Sequence, residues 1–358
     1  MNSYPKVAVV ILNWNGLNFL KQFLPAVLSS TWPNLEIVVG DNASIDGSVE
    51  YLQSTYPTEV KIIQNRINLG FTGGYNRVLE QVDADYFVLL NSDIEVTPNW
   101  IEPVVQLMES DDAIAVAAPK IKSFAKKSHF EHAGAAGGYI DHFGYPFCRG
   151  RIFYEVEEDQ GQYEQSSEVF WASGAAMFIK KKYWQLSGGF DERFFAHMEE
   201  IDLCWRLKNQ GYKVMYCAQS TVYHVGGGTL NTENPLKTYL NFRNNLLLLK
   251  NNLPVTRSVF TIGARFGLDF VALLRFLSEG KRKDAWAVSR AHQSFVKSLF
   301  TSREKKLLPA HHPTTAINVK PAGTRPANLK GLYQGNIIVD FFLKKKSRFT
   351  DLDANRFC

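Results

Sequence analysis

The sequence is poor in the features that assign a chain quickly. Its four cysteines, Cys148, Cys204, Cys217 and Cys358, show no CxxC or CxxH spacing. They read as buried or free thiols, not as zinc ligands or a disulfide framework. No uncharged apolar run reaches the ~18–20 residues needed to cross a bilayer. The chain starts straight into a strand pattern, so no signal peptide is expected. The first strand is followed by Asn13-Trp-Asn-Gly16 and not by GxGxxG, so a dinucleotide fingerprint is missing. Residues 13–18 also lack any basic residue, and no internal repeat is visible.

What is present is an ordinary globular composition, 45% hydrophobic and 13% aromatic, in 358 residues. That length predicts one α/β catalytic domain with an appendage. The net charge of +5 is unevenly placed. Residues 1–230 carry 18 Lys and Arg against 27 Asp and Glu, a net of −9, and residues 231–358 carry 22 against 8, a net of +14. An acidic body with a basic tail points to an anionic partner, nucleic acid or an anionic membrane surface. Nucleic acid would account for the tail but not for the acids clustered in the body.

Short apolar runs alternate with helical periodicity through the first 118 residues. Strands are expected at Lys6–Asn13, Leu35–Asp41, Val60–Ile63, Tyr86–Leu90 and Ala113–Ala118. Helices are expected at Leu17–Leu28, from Asp46, after the glycine-rich loop Asn68–Asn76, and from about Asn99 to Met108. This rhythm means βα units and a mainly parallel sheet. From Lys120 to Glu168 the alternation is lost, and a long loop or hairpin insertion is expected. The core resumes at Val169–Ile179, followed by a helix near Glu200–Lys208 and two short strands, Lys213–Cys217 and Thr221–His224. We divide the chain into a domain of residues 1–230 and a basic, mainly helical region of 231–358. The latter holds a Pro-rich linker near 309–326, and residues Asn336–Leu343 read as a docking strand. Charges inside Val255–Leu277 argue for an interfacial amphipathic helix over a spanning one.

The candidate chemistry sits where strands end. Tyr86–Leu90 is a buried strand that stops at Asn91, Ser92 and Asp93. Open α/β sheets bind ligands just beyond their strands' carboxyl ends. A lone carboxylate among small polar residues there suits a hard divalent cation that keeps water and phosphate oxygens as its other ligands. The bland reading is that Asp93 caps the next helix, although Thr97, before Pro98, is the better cap. Asn13 and Asp41 also fall at strand ends, and a carboxylate at Asp41 can accept an N–H from a nucleobase edge. Asn68 and Gly70–Gly74 offer a backbone that a ligand can approach closely, or else a tight turn before a helix. Met198–Arg206 packs Glu199, Glu200 and Asp202 into four positions. Three such carboxylates repel unless a cation, an arginine or a shared proton uses them. Asp202 has Arg206 at i+4 and reads as the structural acid. His224, before three glycines, is placed to complete a metal site with Asp93.

These pieces resemble a known family. Val10-Ile-Leu-Asn-Trp-Asn-Gly16, Gly40–Ser48, Asn68–Asn76, Leu89–Asp93, Trp171–Ala176, Gly189–Glu192, Glu199–Arg206 and His224–Thr229 stand in order and at sensible spacing. Together, over about Lys6 to Leu249, they look like a family 2 glycosyltransferase of the GT-A fold, in the bacterial rhamnosyltransferase-like branch. The resemblance implies a Rossmann-like, mainly parallel sheet with helices on both faces, plus the helical extension. It implies a metal-dependent, inverting transfer of a sugar from a nucleotide-diphosphate sugar to a hydroxyl of a glycan or lipid-linked glycan acceptor in cell-surface polysaccharide synthesis. Asp41 would read the base, and Asn91-Ser92-Asp93 stands where a DxD motif binds diphosphate and Mg2+ or Mn2+. Asn13, Asn68, Gly70, Gly73, Asn76 and Gly174 would line the donor. Glu199–Glu200 falls on the pair that carries the general base, with Glu200 at the base position and Glu199 still a candidate. Two departures stand out: Asn91 replaces the first Asp of the DxD, and Glu200 replaces the expected Asp. A cytoplasmic enzyme, peripheral at the inner membrane face through its basic tail, is the expected setting. The competing expectations are a nucleotide-sugar-forming nucleotidyltransferase, which would normally place a Gly-rich basic loop after its first strand, and a non-catalytic nucleotide- or glycan-binding module.

Overall fold

A computed structural model describes residues 4–226, 234–300 and 325–358. The chain falls into two compact units, Met1–Gly228 together with Pro326–Cys358, and Thr229–Arg325.

The first unit opens with β1 (Val7–Asn13), α1 (Leu17–Leu28), β2 (Leu35–Asp41), α2 (Ser48–Thr55), β3 (Val60–Gln64), α3 (Gly70–Leu79) and β4 (Tyr86–Asn91). A short β5 (Ile94–Val96) precedes α4 (Ile101–Glu109) and a long β6 (Ile114–Ser123). Strands β3, β2, β1 and β4 run parallel in that order. Their register puts Asn13 opposite Asp41 and Leu12 opposite Asn91, so three strand ends finish along one edge.

Side chains alternate across a strand, and the two faces of this sheet are filled differently. Val7, Val9 and Ile11 of β1, with Val88 and Leu90 of β4, pack into one core with Leu20 and Leu24 of α1, Leu52 of α2 and Val104 of α4. The opposite face is covered by α3, whose Tyr75 donates to the backbone carbonyls of Val10 and Leu90 at 3.4 and 3.2 Å. Helices on both faces explain why these strands read as unbroken apolar runs.

The region expected as an insertion is a second sheet. It comprises β7 (Gly138–Asp141), β8 (Pro146–Cys148), β9 (Arg151–Ile152) and β10 (Glu155–Val156). The chain returns to the main sheet through β11 (Ser167–Val169) and β12 (Ala176–Lys180), then α5 (Lys181–Ser187), α6 (Glu199–Asn209) and β13 (Lys213–His224). β12 lies antiparallel between β4 and β6. β13 is one strand and not the two expected: it runs parallel to β6 with a bulge between Cys217 and Thr221, which breaks the alternation in sequence without ending the ladder.

The second unit is three packed helices, α7 (Pro235–Asn252), α8 (Val255–Ser278) and α9 (Arg282–Phe300). Asn234 caps α7 by accepting from the Leu236 amide at 2.9 Å, with Pro235 in the first turn.

The division expected at residue 230 differs in one respect, because residues 326–358 belong to the first unit. There β14 (Leu332–Tyr333) pairs parallel with β7, and the rings of Phe349 and Phe357 meet those of Tyr139 and Phe147 at tilted or edge-on angles. The strand expected at 336–343 is instead a helical turn over Val339–Leu343, held by Asn336, whose Oδ1 accepts from the Ile338 and Val339 amides. Most of the Pro-rich linker expected near 309–326 lies outside the described residues.

Candidate functional site at the carboxyl edge of the sheet

Asn13 is fully buried at the end of β1. Its Nδ2 donates to Asp41 Oδ1 at 3.3 Å and to Ser44 Oγ at 3.1 Å, while its Oδ1 has no hydrogen-bond partner. The second oxygen of Asp41 accepts from the Ser44 amide at 3.0 Å. A buried carboxylate held on one oxygen by Asn13 of β1 and on the other by the loop after β2 is fixed in direction. Ser92 lies close by, since a side chain on Gly16 would meet both Asn13 Oδ1 and Ser92 Oγ.

The glycine-rich segment is part of a helix and not a loop before one, since α3 begins at Gly70. Gly70 has φ +71°, and a side chain there would press on the Phe195 carbonyl at 2.8 Å. Gly74 lets α3 approach β1, because a Cβ would lie 2.8 Å from Leu12. Gly73 is buried against Leu69. Asn68 Oδ1 accepts from the Gly70 amide at 2.8 Å and from Asn42 Nδ2 at 2.9 Å. Asn42 in turn accepts from Asn65 Nδ2 and the Leu69 amide. Asn76 has a task other than the donor contact expected of it. Its amide donates to the Phe190 carbonyl and accepts from the Phe190 amide, both at 2.9 Å, and so clamps the turn after α5. These residues shape the site through packing and backbone hydrogen bonds.

Asp93 does not cap a helix, because α4 starts only at Ile101 and Asp93 lies in the turn between β4 and β5. Strand pairing brings it to His224: His224 of β13 stands opposite Ile94, and the Val225 amide donates to the Asp93 carbonyl at 3.1 Å. His224 Nε2 is then 3.2 Å from Asp93 Oδ1, with both side chains buried. On the far side of the ring, Nδ1 is 3.2 Å from Glu131 Oε2. Neither ring nitrogen is aligned for a full hydrogen bond. Burial pulls the imidazole pKa down, but the two carboxylates outweigh it and carry it up to about 10.

Asp93 Oδ1 and His224 Nε2 face each other across 3.2 Å, an oxygen and a nitrogen of the kinds that ligate divalent cations. Among the described residues no group of three or more His, Cys, Asp or Glu side chains forms a ready cage. The protein would therefore supply two ligands and leave the remaining positions to phosphate oxygens and water.

The acid pair enters from α6 through a strained approach. Phe195, His197 and Met198 have φ of +64°, +68° and +73°, a region that costs a non-glycine residue about 1–3 kcal/mol. The Phe195 carbonyl accepts from the Phe71 and Thr72 amides at 2.8 and 3.2 Å, which ties this turn to the start of α3. Glu199 is buried with Oε2 unpartnered, and burial followed by the Glu200 charge pushes its pKa well up. Glu200 is half-buried, with one unpartnered oxygen, and burial raises it to about 7. Asp202 is the structural acid: it accepts from Arg206 Nε at 2.7 Å, and Arg206 also donates to the carbonyls of Ser187 and Gly189. Gly174 connects this pair to the DxD-like turn. Its Cα faces Glu200, with a would-be Cβ 3.7 Å from Glu200 Cβ, and the next residue's carbonyl accepts from the Asn91 amide at 3.0 Å.

The sequence reading missed Glu131, Asn42 and Asn65. Asn42 directly follows the singled-out Asp41, so adjacency was a usable signal. Nothing in spacing pointed to Glu131.

The sequence matches the family model described as glycosyl transferase family 2 over residues 8–186. An N-acetylglucosaminyl-diphospho-decaprenol L-rhamnosyltransferase of Mycobacterium tuberculosis is 24% identical over 231 residues, 60% of this chain and 75% of that protein. The putative glycosyltransferase EpsE of Bacillus subtilis is 26% identical, over 63% of this chain and 74% of that one. An uncharacterized glycosyltransferase of Haemophilus influenzae is 29% identical over 129 residues, and the match spans only 40% of its length. Among solved structures, GalNAc-T7 with UDP, GalNAc and Mn2+ superposes with a TM-score of 0.55 at 16% identity, over 70% of this chain and 48% of that one. A mannosyltransferase of Pyrobaculum calidifontis in complex with GDP-Man and Mn2+ gives 0.50 at 11% identity, over 83% and 88%. At these identities the structural likeness speaks for the fold, which is GT-A.

Proposed function

The chain belongs to glycosyl transferase family 2, and on that premise we propose that it transfers a sugar, with inversion, from a nucleotide-diphosphate sugar to a hydroxyl of a glycan or lipid-linked glycan acceptor in cell-surface polysaccharide synthesis. The observation that carries this reading is the meeting of unlike groups at one sheet edge. Asp93 pairs with His224 two residues after Asn91, and the Asn91 amide donates to the carbonyl of Ala175, whose neighbour Gly174 faces Glu200.

Each group has a task. Asp41, fixed by Asn13 and the Ser44 amide, accepts the N–H of the nucleobase. Asp93 and His224 would hold Mg2+ or Mn2+, which when bound offsets the charge of the departing nucleoside diphosphate. Glu200 takes the acceptor hydroxyl's proton on the side opposite the leaving group. A single displacement of this kind inverts the anomeric centre. A base is most effective when its pKa lies near the working pH, which favours Glu200 at about 7. Glu199, buried with its pKa pushed up by burial and the Glu200 charge, stands beside it.

The helical unit extends the reading to a membrane surface. Residues 234–300 carry 11 Lys and Arg against 3 Asp and Glu. Val259, Phe260, Phe270 and Val271 of α8 are more than half exposed, while Arg265 and Asp269 of the same helix are buried. Among the described residues no helix is long and apolar enough to cross a membrane. An outward apolar stripe with basic neighbours suits the plane of an anionic bilayer, where a lipid-linked acceptor such as the one named for the mycobacterial relative would be met.

The test is a panel of nucleotide-sugars screened by thermal shift with Mn2+, followed by donor hydrolysis. One nucleotide-sugar should raise the melting temperature and release nucleoside diphosphate slowly. Binding without release from any donor would point to a non-catalytic module.

A further inference from the structure

Glu131 stands behind His224. We propose that Glu131 is the positioning residue of the cation site, fixing the His224 ring so that Nε2 faces Asp93. The inference rests on the reading of Asp93 and His224 as the cation's protein ligands.

The geometry is that of a carboxylate–histidine relay. Glu131 Oε2 lies 3.2 Å from His224 Nδ1, and His224 Nε2 lies 3.2 Å from Asp93 Oδ1, so the two carboxylates address opposite ring nitrogens. A histidine that ligates a metal with one nitrogen usually donates the N–H of the other to a carboxylate, carbonyl or water. That bond sets the tautomer, orients the ring and raises its basicity. A cation on the Asp93 side would displace the Nε2 proton and leave the remaining one on Nδ1, toward Glu131.

Glu131 is itself held in place. It is buried, and its Oε2 also accepts from the Ala133 amide. Its Oε1 lies against Gly226, where a Cβ would come within 2.8 Å, and Gly226 has φ +74°. Its own amide donates to the Ile121 carbonyl of β6 at 3.0 Å. The same strand carries Ser123, which stands opposite His224. The bridge Lys122–Phe130 thus folds the chain back along the end of β6, ahead of the second sheet, and sets a carboxylate beside the end of β13. A residue whose only task was to close the turn at Ala133 would not need to face a histidine.

The experiment compares Glu131→Ala, Glu131→Gln and His224→Ala with the intact chain. The readouts are Mn2+ binding followed by electron paramagnetic resonance and the ring-nitrogen NMR shifts of His224. Loss of an outer-shell partner usually lowers metal affinity 10–100-fold. Glu131→Ala should fall in that range and move the His224 Nδ1 shift, because the group facing that nitrogen is gone. Glu131→Gln keeps an acceptor oxygen but not the charge, so it should lose less. If both variants only lower the melting temperature, with Mn2+ affinity and the His224 ring-nitrogen shifts unmoved, Glu131 merely closes its turn and the inference falls. If His224→Ala binds Mn2+ like the intact chain, the ligand assignment beneath it is what fails.

Discussion

Glu200→Gln separates a catalytic role from a structural one because the two predict opposite effects. As the base, Glu200 contributes about 10²–10⁴-fold to the rate, and glutamine cannot replace it. As a buried acid, it costs stability. Its folded pKa of about 7 lies above the ordinary glutamate value of 4.5. Between those values the folded chain holds a proton that the unfolded chain has released, so stability falls as pH rises through that window, and the full cost is carried above 7. Each pKa unit corresponds to about 1.4 kcal/mol, so the cost is on the order of 3 kcal/mol. Glutamine never ionises. Glu200→Gln should therefore match the parent chain's melting temperature near pH 4.5, exceed it at pH 8, and lose nearly all transfer at every pH. The assay is kcat with donor and acceptor saturating, alongside thermal unfolding at both pH values. In the parent chain, kcat should rise with pH and level off above about 7. Transfer retained by Glu200→Gln but lost in Glu199→Gln would move the base by one residue. A Glu200→Gln chain no more stable at pH 8 than its parent would refute the burial argument.

Asp93→Ala should abolish Mn2+-dependent binding of nucleoside diphosphate with the fold intact, and unchanged affinity by calorimetry would remove Asp93 as a ligand. Asp41→Ala should weaken donor binding more than it slows the chemical step, because a base contact acts in ground and transition states alike; a fall in kcat alone would contradict that role. Flotation with anionic liposomes should decline as salt rises, since screening weakens exposed charge contacts. Association indifferent to salt and lipid charge would assign the α8 stripe to protein packing.

The parts of this protein that were legible in its sequence are those governed by local pattern. Tyr86–Leu90 reads as a strand because both of its faces are covered, and its abrupt polar end marks Asn91–Asp93. The i+4 spacing of Asp202 and Arg206 alone identified their ion pair. Tertiary structure decided whatever depends on which strands lie side by side. Asp93 and His224 meet because β5 pairs with β13, and Glu131 joins them because the chain folds back along β6. Asn76 looked free to meet a ligand until the turn at Phe190 took up both atoms of its amide. The bulge in β13 and the return of residues 326–358 to the second sheet were hidden for the same reason. Periodicity reports which face of an element is buried, but hydrogen-bond partners distant in sequence are chosen only when the sheets assemble.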